Sequence, residues 1–161
     1  MPPGVGGSTF LGGHGTRPFP KSNYEIRLEA ARLEGSDFFA GITFPVGESY
    51  CTWINGGWGG SLVGLSSING QDAAENGTNT SKDFQKGHWY ALRLRVTHER
   101  IQAWIDGEEF INVPLEGVTI GLRPGEMEEC VPLGIASWST TGAVRKIEYR
   151  VLPHDPVGAK Q

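Results

Sequence analysis

Three tryptophans, one long polar loop and a pair of arginines carry most of the chemistry that this sequence offers. Sugar sites pair an aromatic plate, which stacks on the apolar C–H face of a pyranose ring, with a few convergent amides and carboxylates for the hydroxyls. Trp53, Trp58 and Trp138 are the candidate plates. Trp53 shares a strand face with Cys51, opposite Tyr50, Thr52 and Ile54, so it lines either a core or an open sheet face. Trp138 lies among small polar residues in the run SWSTT. Core packing is the commoner fate of any one tryptophan, and the glycine-flanked Trp58 in GGWGG suits a core least. The loop over 69–80, NGQDAAENGTNT, has no apolar anchor but two alanines. That is long for a sandwich connection, and such loops are functional or mobile. Its Asp72, Glu75 and Asn76 suit sugar hydroxyls or a calcium ion, or are simply solvated. The D-x-[DN]-x-[DN]-G calcium pattern is missing, so no cofactor is expected.

Arg93 and Arg95 share one side of an alternating run and could contact a carbohydrate or an acidic partner. The blander reading pairs them with Glu25, Glu29 or Glu148 on neighbouring strands. Other constellations dissolve on inspection. Cys51 and Cys130 are far apart and fit no metal spacing; a buried small hydrophobe is the ordinary role of a free cysteine, with a disulfide as the alternative. His14, His88, His98 and His154 show no H-E-x-x-H or paired spacing. The cluster 56–60 looks like a phosphate loop, but a phosphate loop needs a following helix, and the strand-like SLVGLSSI follows instead.

The elements that must position these residues are strands. From Tyr90 the chain alternates, with Tyr90, Leu92, Leu94 and Val96 on one face and Ala91, Arg93 and Arg95 on the other. After a short polar break, Ile101, Ala103 and Ile105 oppose Gln102 and Trp104. Asp106-Gly107 then supplies the pair best suited to a type I′ hairpin turn, because both central residues need positive φ. Residues 108–113 return as a third strand. Further strands are expected over 24–33, with Tyr24, Ile26, Leu28 and Ala30 inward and Glu25, Arg27 and Glu29 outward. Others are expected over 38–44, 49–55, 61–68, 118–122, 133–139 and 144–151, with a turn at 140–142 and at most a short strand at 8–11. About nine or ten strands result, with no helix longer than a turn.

The phrase G-x-W-Y-x-hydrophobic-x-hydrophobic followed by I-x-A-W-I-D-G resembles the concanavalin A-like lectin/glucanase superfamily, in its laminin-G-like branch. Within it the sequence is most similar to the bacterial 3-keto-disaccharide hydrolase family. The segments YEIRLEAARLEGSDFFAGITF, 87–110 and LGIASWSTTGAVRKIEYRV carry the likeness, in the family's order. The resemblance implies a jelly-roll β-sandwich of two antiparallel sheets and leaves activity open, since that scaffold hosts lectins, hydrolases and adhesion modules. The glucanase strand motif E-x-D-x-x-E is absent. A hydrolase needs two carboxylates across a cleft, and Asp72, Glu75, Glu25, Glu29 and Glu148 are the candidates.

Composition fits an all-β domain. The chain has 161 residues, 24 of them glycine and 10 proline, which suits many short strands joined by tight turns. A net charge of −4 with no basic run argues against nucleic acid and anionic membrane as partners. No apolar stretch approaches the roughly 20 residues that span a bilayer. Residues 1–20 are Gly/Pro-rich and lack the basic and apolar regions of a signal peptide. The sandwich is expected over 21–152, with a linker-like tail over 153–161. Together these features suggest carbohydrate recognition on a concave sheet and its rim loops, by a binding module or a keto-glycoside hydrolase relative. The competing expectation is a structural domain that packs against another protein or domain.

Overall fold

The computed structural model describes residues 11–12, 20–57, 59–66, 68–71, 73, 76–121, 134–137 and 140–153. Among them are eleven strands and no helix, and hence no helix able to cross a membrane. Strands β1 (Leu11–Gly12), β2 (Tyr24–Gly35), β7 (Tyr90–Val96), β8 (Arg100–Ile105), β9 (Glu108–Pro114) and β11 (Thr140–Val151) form one sheet. Its spatial order is β1-β11-β2-β7-β8-β9. The second sheet contains β3 (Ala40–Val46), β4 (Ser49–Gly57), β5 (Leu62–Ser66), β6 (Thr80–Ser81) and β10 (Gly134–Ala136), ordered β10-β3-β4-β5-β6. Every pairing is antiparallel. This is the expected jelly-roll sandwich.

The core follows the period-2 pattern of the sequence. Tyr24, Ile26, Leu28 and Ala30 of β2 meet Tyr90, Leu92, Leu94 and Val96 of β7 and Ile101, Ala103 and Ile105 of β8. Facing them are Ala40, Ile42, Phe44, Cys51, Trp53, Val63 and Leu65 from the other sheet. Trp53 is fully buried, so of its two expected positions it takes the core. The β8–β9 hairpin turns at Asp106 and Gly107 with φ of 50° and 83°, as a type I′ turn requires.

Several strand ends shift by a few residues from expectation, and three differences are larger. Residues 118–121 form no strand; Ile120 makes a single bridge to Ile68, because Asn69 holds Thr119 through backbone and side chain. The turn expected at 140–142 is the start of β11 instead, and a register shift between Thr141 and Gly142 absorbs the irregularity. Glycine is needed there, since a Cβ on Gly142 would lie 2.5 Å from the Phe39 carbonyl oxygen. The short N-terminal strand falls at Leu11–Gly12, paired with Tyr149 and Glu148.

Candidate functional site

The two outer faces of the sandwich differ sharply. On the five-stranded sheet the outward positions are Gly41, Thr43 and Pro45 on β3, Thr52 and Ile54 on β4, and Gly64 and Ser66 on β5. All of these are buried, Tyr50 of β4 and Leu62 of β5 on the same face are half-buried, and none is charged. Phe38, Ile54 and Ala73 form a small apolar cluster over this face, and the Thr43 and Thr52 hydroxyls bond each other at 2.7 Å. The loop after β5 packs down onto it, held by Asn76. Its Nδ2 donates to the carbonyls of Leu65 (2.7 Å) and Gln71 (3.0 Å), while its Oδ1 accepts from the N–H and hydroxyl of Thr78. Asn76 is 5% exposed. Its amide is therefore committed to the loop and does not reach outward to a ligand, contrary to the role suggested by the sequence.

The six-stranded sheet is the open, charged one. Its outward side chains line up in three rows across the strands. Arg145, Glu29 and Ala91 form the first; Glu148, Arg27, Arg93, Trp104 and Glu109 the second; Arg150, Glu25, Arg95, Gln102 and Asn112 the third. Opposite charges face each other at Arg145–Glu29, Glu148–Arg27, Arg150–Glu25 and Glu25–Arg95, the favourable cross-strand arrangement, whereas Arg27 faces Arg93 as a like charge. Arg145 Nε bonds Glu29 at 2.6 Å, and Arg27 Nε bonds Glu148 at 2.8 Å. In the third row Glu25 is fully buried beneath three guanidiniums: Arg150 at 2.6 Å, Arg93 at 2.9 Å and Arg95 at 3.7 Å. A carboxylate out of water is tolerable only with such compensation.

The rows depend on one irregularity. Arg145 and Glu148 are three apart, so in a regular strand they would lie on opposite faces. A register shift between them inserts an extra residue, and Lys146 takes a left-handed φ of 58°. A bulge of this kind re-aims the side chains that follow it. Glu148 thereby joins the outer face while Ile147 packs against the core.

A cleft of about 500 Å3 opens on this face over β11, β2, β7 and β8. Trp104, Arg27, Arg93, Glu29, Glu148 and Lys146 supply its aromatic and charged lining. The Arg93 guanidinium lies 4.3 Å from the Trp104 ring centroid, and Arg95 lies 5.5 Å from it. Cation–π contacts of this kind hold the indole in a fixed pose. Arg145 covers Trp89 in the same way at 3.8 Å. The Glu29 carboxyl is held below the usual carboxylate range, chiefly by the hydrogen bond from Arg145.

Of the residues singled out in the sequence, Arg93 lines the cleft and Arg95 borders it, both paired with Glu25 as the blander reading had it. Trp58, Asp72, Glu75 and Trp138 lie outside the described residues, as does Cys130. Trp104, Arg27 and Lys146 were missed as site residues. For Trp104 the signal was present, since an aromatic residue alternating with Gln102 on the polar side of a strand points away from the core. No group of three or more His, Cys, Asp or Glu able to hold a metal ion occurs among the described residues.

The antiparallel sandwich with this strand order is a concanavalin A-like domain. The sequence profile of the 3-keto-alpha-glucoside-1,2-lyase-like domain matches residues 14–150, and the chain belongs to that family. Among solved structures, the apo Crh5 transglycosylase is similar over 84% of this chain with a TM-score of 0.56 and 13% identity. This chain spans 65% of the transglycosylase, just under two thirds, and at that identity the likeness is one of fold. The carbohydrate-binding module CBM66 from Bacillus subtilis aligns over 80% of this chain and 75% of its own, at 10% identity and a TM-score of 0.45. Among proteins of curated function, none matches the sequence.

Proposed function

We propose that the domain binds a saccharide in the cleft of the six-stranded sheet, and that the ligand it acts on is a 3-keto-glucoside. The observation that carries this reading is the lining of the cleft, where one indole plate stands beside two carboxylates and two guanidiniums. That is the make-up of a sugar site. Trp104 is the stacking surface, and Arg27, Arg93, Glu29 and Glu148 meet the hydroxyls.

The family name adds a reaction. In a 3-keto-glucoside the C3 carbonyl acidifies the C2–H. Loss of that proton gives an enolate, which expels the C1 glycosidic oxygen: the C2–H and C1–O bonds break, a C1=C2 bond forms, and the departing oxygen takes up a proton. The step calls for one base and for donors at the enolate oxygen. Arg145 weakens Glu29 as a base by stabilising its charged form. Arg27 bonds Glu148 in the same way, so Glu148 is assigned as the base on position, because it shares a cross-strand row with Trp104, and Arg93 and Arg27 are the donors. The test is release of the aglycone from a 3-keto-α-glucoside by the native protein and by Glu148→Gln. Loss of turnover with retained binding supports the assignment; equal turnover by both proteins removes Glu148 from it.

A further inference from the structure

We infer that, among 3-keto-glycosides, the cleft prefers one carrying an anionic group, a 3-keto-glucuronide over the neutral 3-keto-glucoside, and this rests on the reading of the cleft as a saccharide site. The ground is the charge distribution on the face. Glu29 is shared by Arg145 at 2.6 Å and Lys146 at 3.9 Å, and Glu25 by Arg93 at 2.9 Å and Arg95 at 3.7 Å. Leaving aside Arg150, which also meets Glu25, four cations therefore share two carboxylates. The remaining carboxylate of the lining, Glu148, already has Arg27.

The surplus is directed at the opening. Arg93 and Lys146 both line the cleft, one from β7 and the other from the bulge in β11. Their side chains are 45% and 69% exposed, so each keeps donors free of its carboxylate. Lys146 also holds a left-handed backbone conformation that a lysine adopts only under constraint. The whole chain carries a net charge of −4. A positive cleft on an acidic molecule focuses anions at that place, and a carboxylate held by a guanidinium and an ammonium makes strong, charge-assisted hydrogen bonds.

The test compares a 3-keto-glucuronide with the matching 3-keto-glucoside, identical except for a carboxylate or a hydroxymethyl at C6, by titration calorimetry over a salt series. The expected result is an affinity for the glucuronide about tenfold higher at low salt, one good charge-assisted contact. The advantage should shrink as salt rises and narrow in Lys146→Gln. Equal affinities, or a ratio indifferent to both salt and Lys146→Gln, overturn the inference while leaving the saccharide site standing. Binding of neither glycoside overturns both.

Discussion

Glu25 is the side chain on which the charged face depends. It is fully buried, yet it occupies an outward position of β2, because three arginines close over it. Removing it leaves those guanidiniums facing one another without an anion. Glu25→Ala should therefore cost about 3–5 kcal/mol, the range for breaking a buried ion pair from one side. Urea unfolding measures this, and a loss under about 1 kcal/mol would mean that the arginines are solvated and the cluster contributes little. Cys51 gives a second prediction. Burial pushes its thiol up to about 12 from an ordinary 9.0. The protonated form is thus favoured in the fold, so its contribution is complete below pH 9 and declines as pH rises from there towards about 12. Iodoacetamide should leave Cys51 unlabelled at neutral pH in the native protein and label it on unfolding, as read by mass spectrometry of its peptide. Labelling at native pH before any loss of structure would show that the thiol is accessible.

Strand β11 shows where sequence reading stops at the level of elements. The strands over 90–96 and 100–105 were legible because apolar and polar residues alternate within each, and their burial follows that pattern. In β11 the run VRKIEYR breaks the period at Lys146 and Ile147. Alternation alone cannot say which side of a bulge faces the core, and hence could not place Glu148 beside Arg27. Deleting Lys146 should remove the bulge and leave a regular strand, with Glu148 and Arg150 still outward and Tyr149 still inward, because the extra residue is what offsets the period. Lys146→Gly keeps the bulge and relieves the positive φ, so it should be neutral or stabilising by up to about 1 kcal/mol. Thermal melts of both variants should therefore stay near the native value. Equal destabilisation by both would mean that the side chain, not the extra residue, is what the strand needs. Gly142→Ala tests the other irregularity of β11, where a Cβ would crowd the Phe39 carbonyl at 2.5 Å, and should lower the melting temperature.

The molecule as a whole sets a polar, open sheet against a neutral, covered one. The sandwich itself was legible from strand period, turn residues and the phrase around Trp104, because those signals are local. The site was not, because it arises from register. Glu29, Arg93, Trp104 and Glu148 come from four strands and meet only when β11, β2, β7 and β8 pair in their observed alignment. Asn76 misled for the complementary reason, since a polar loop residue reads as exposed until its hydrogen bonds are seen to close inside the loop. The central claim is that a saccharide binds against Trp104. It is tested most directly by titrating a 3-keto-glucoside into the native protein and Trp104→Ala, with the melting temperature of each recorded. Binding should be lost in Trp104→Ala while the melting temperature hardly moves, because the indole lies outside the core; truncating the buried Trp53 should instead cost about 3–5 kcal/mol. Undiminished binding by a stably folded Trp104→Ala would contradict the account and move the site off the six-stranded sheet.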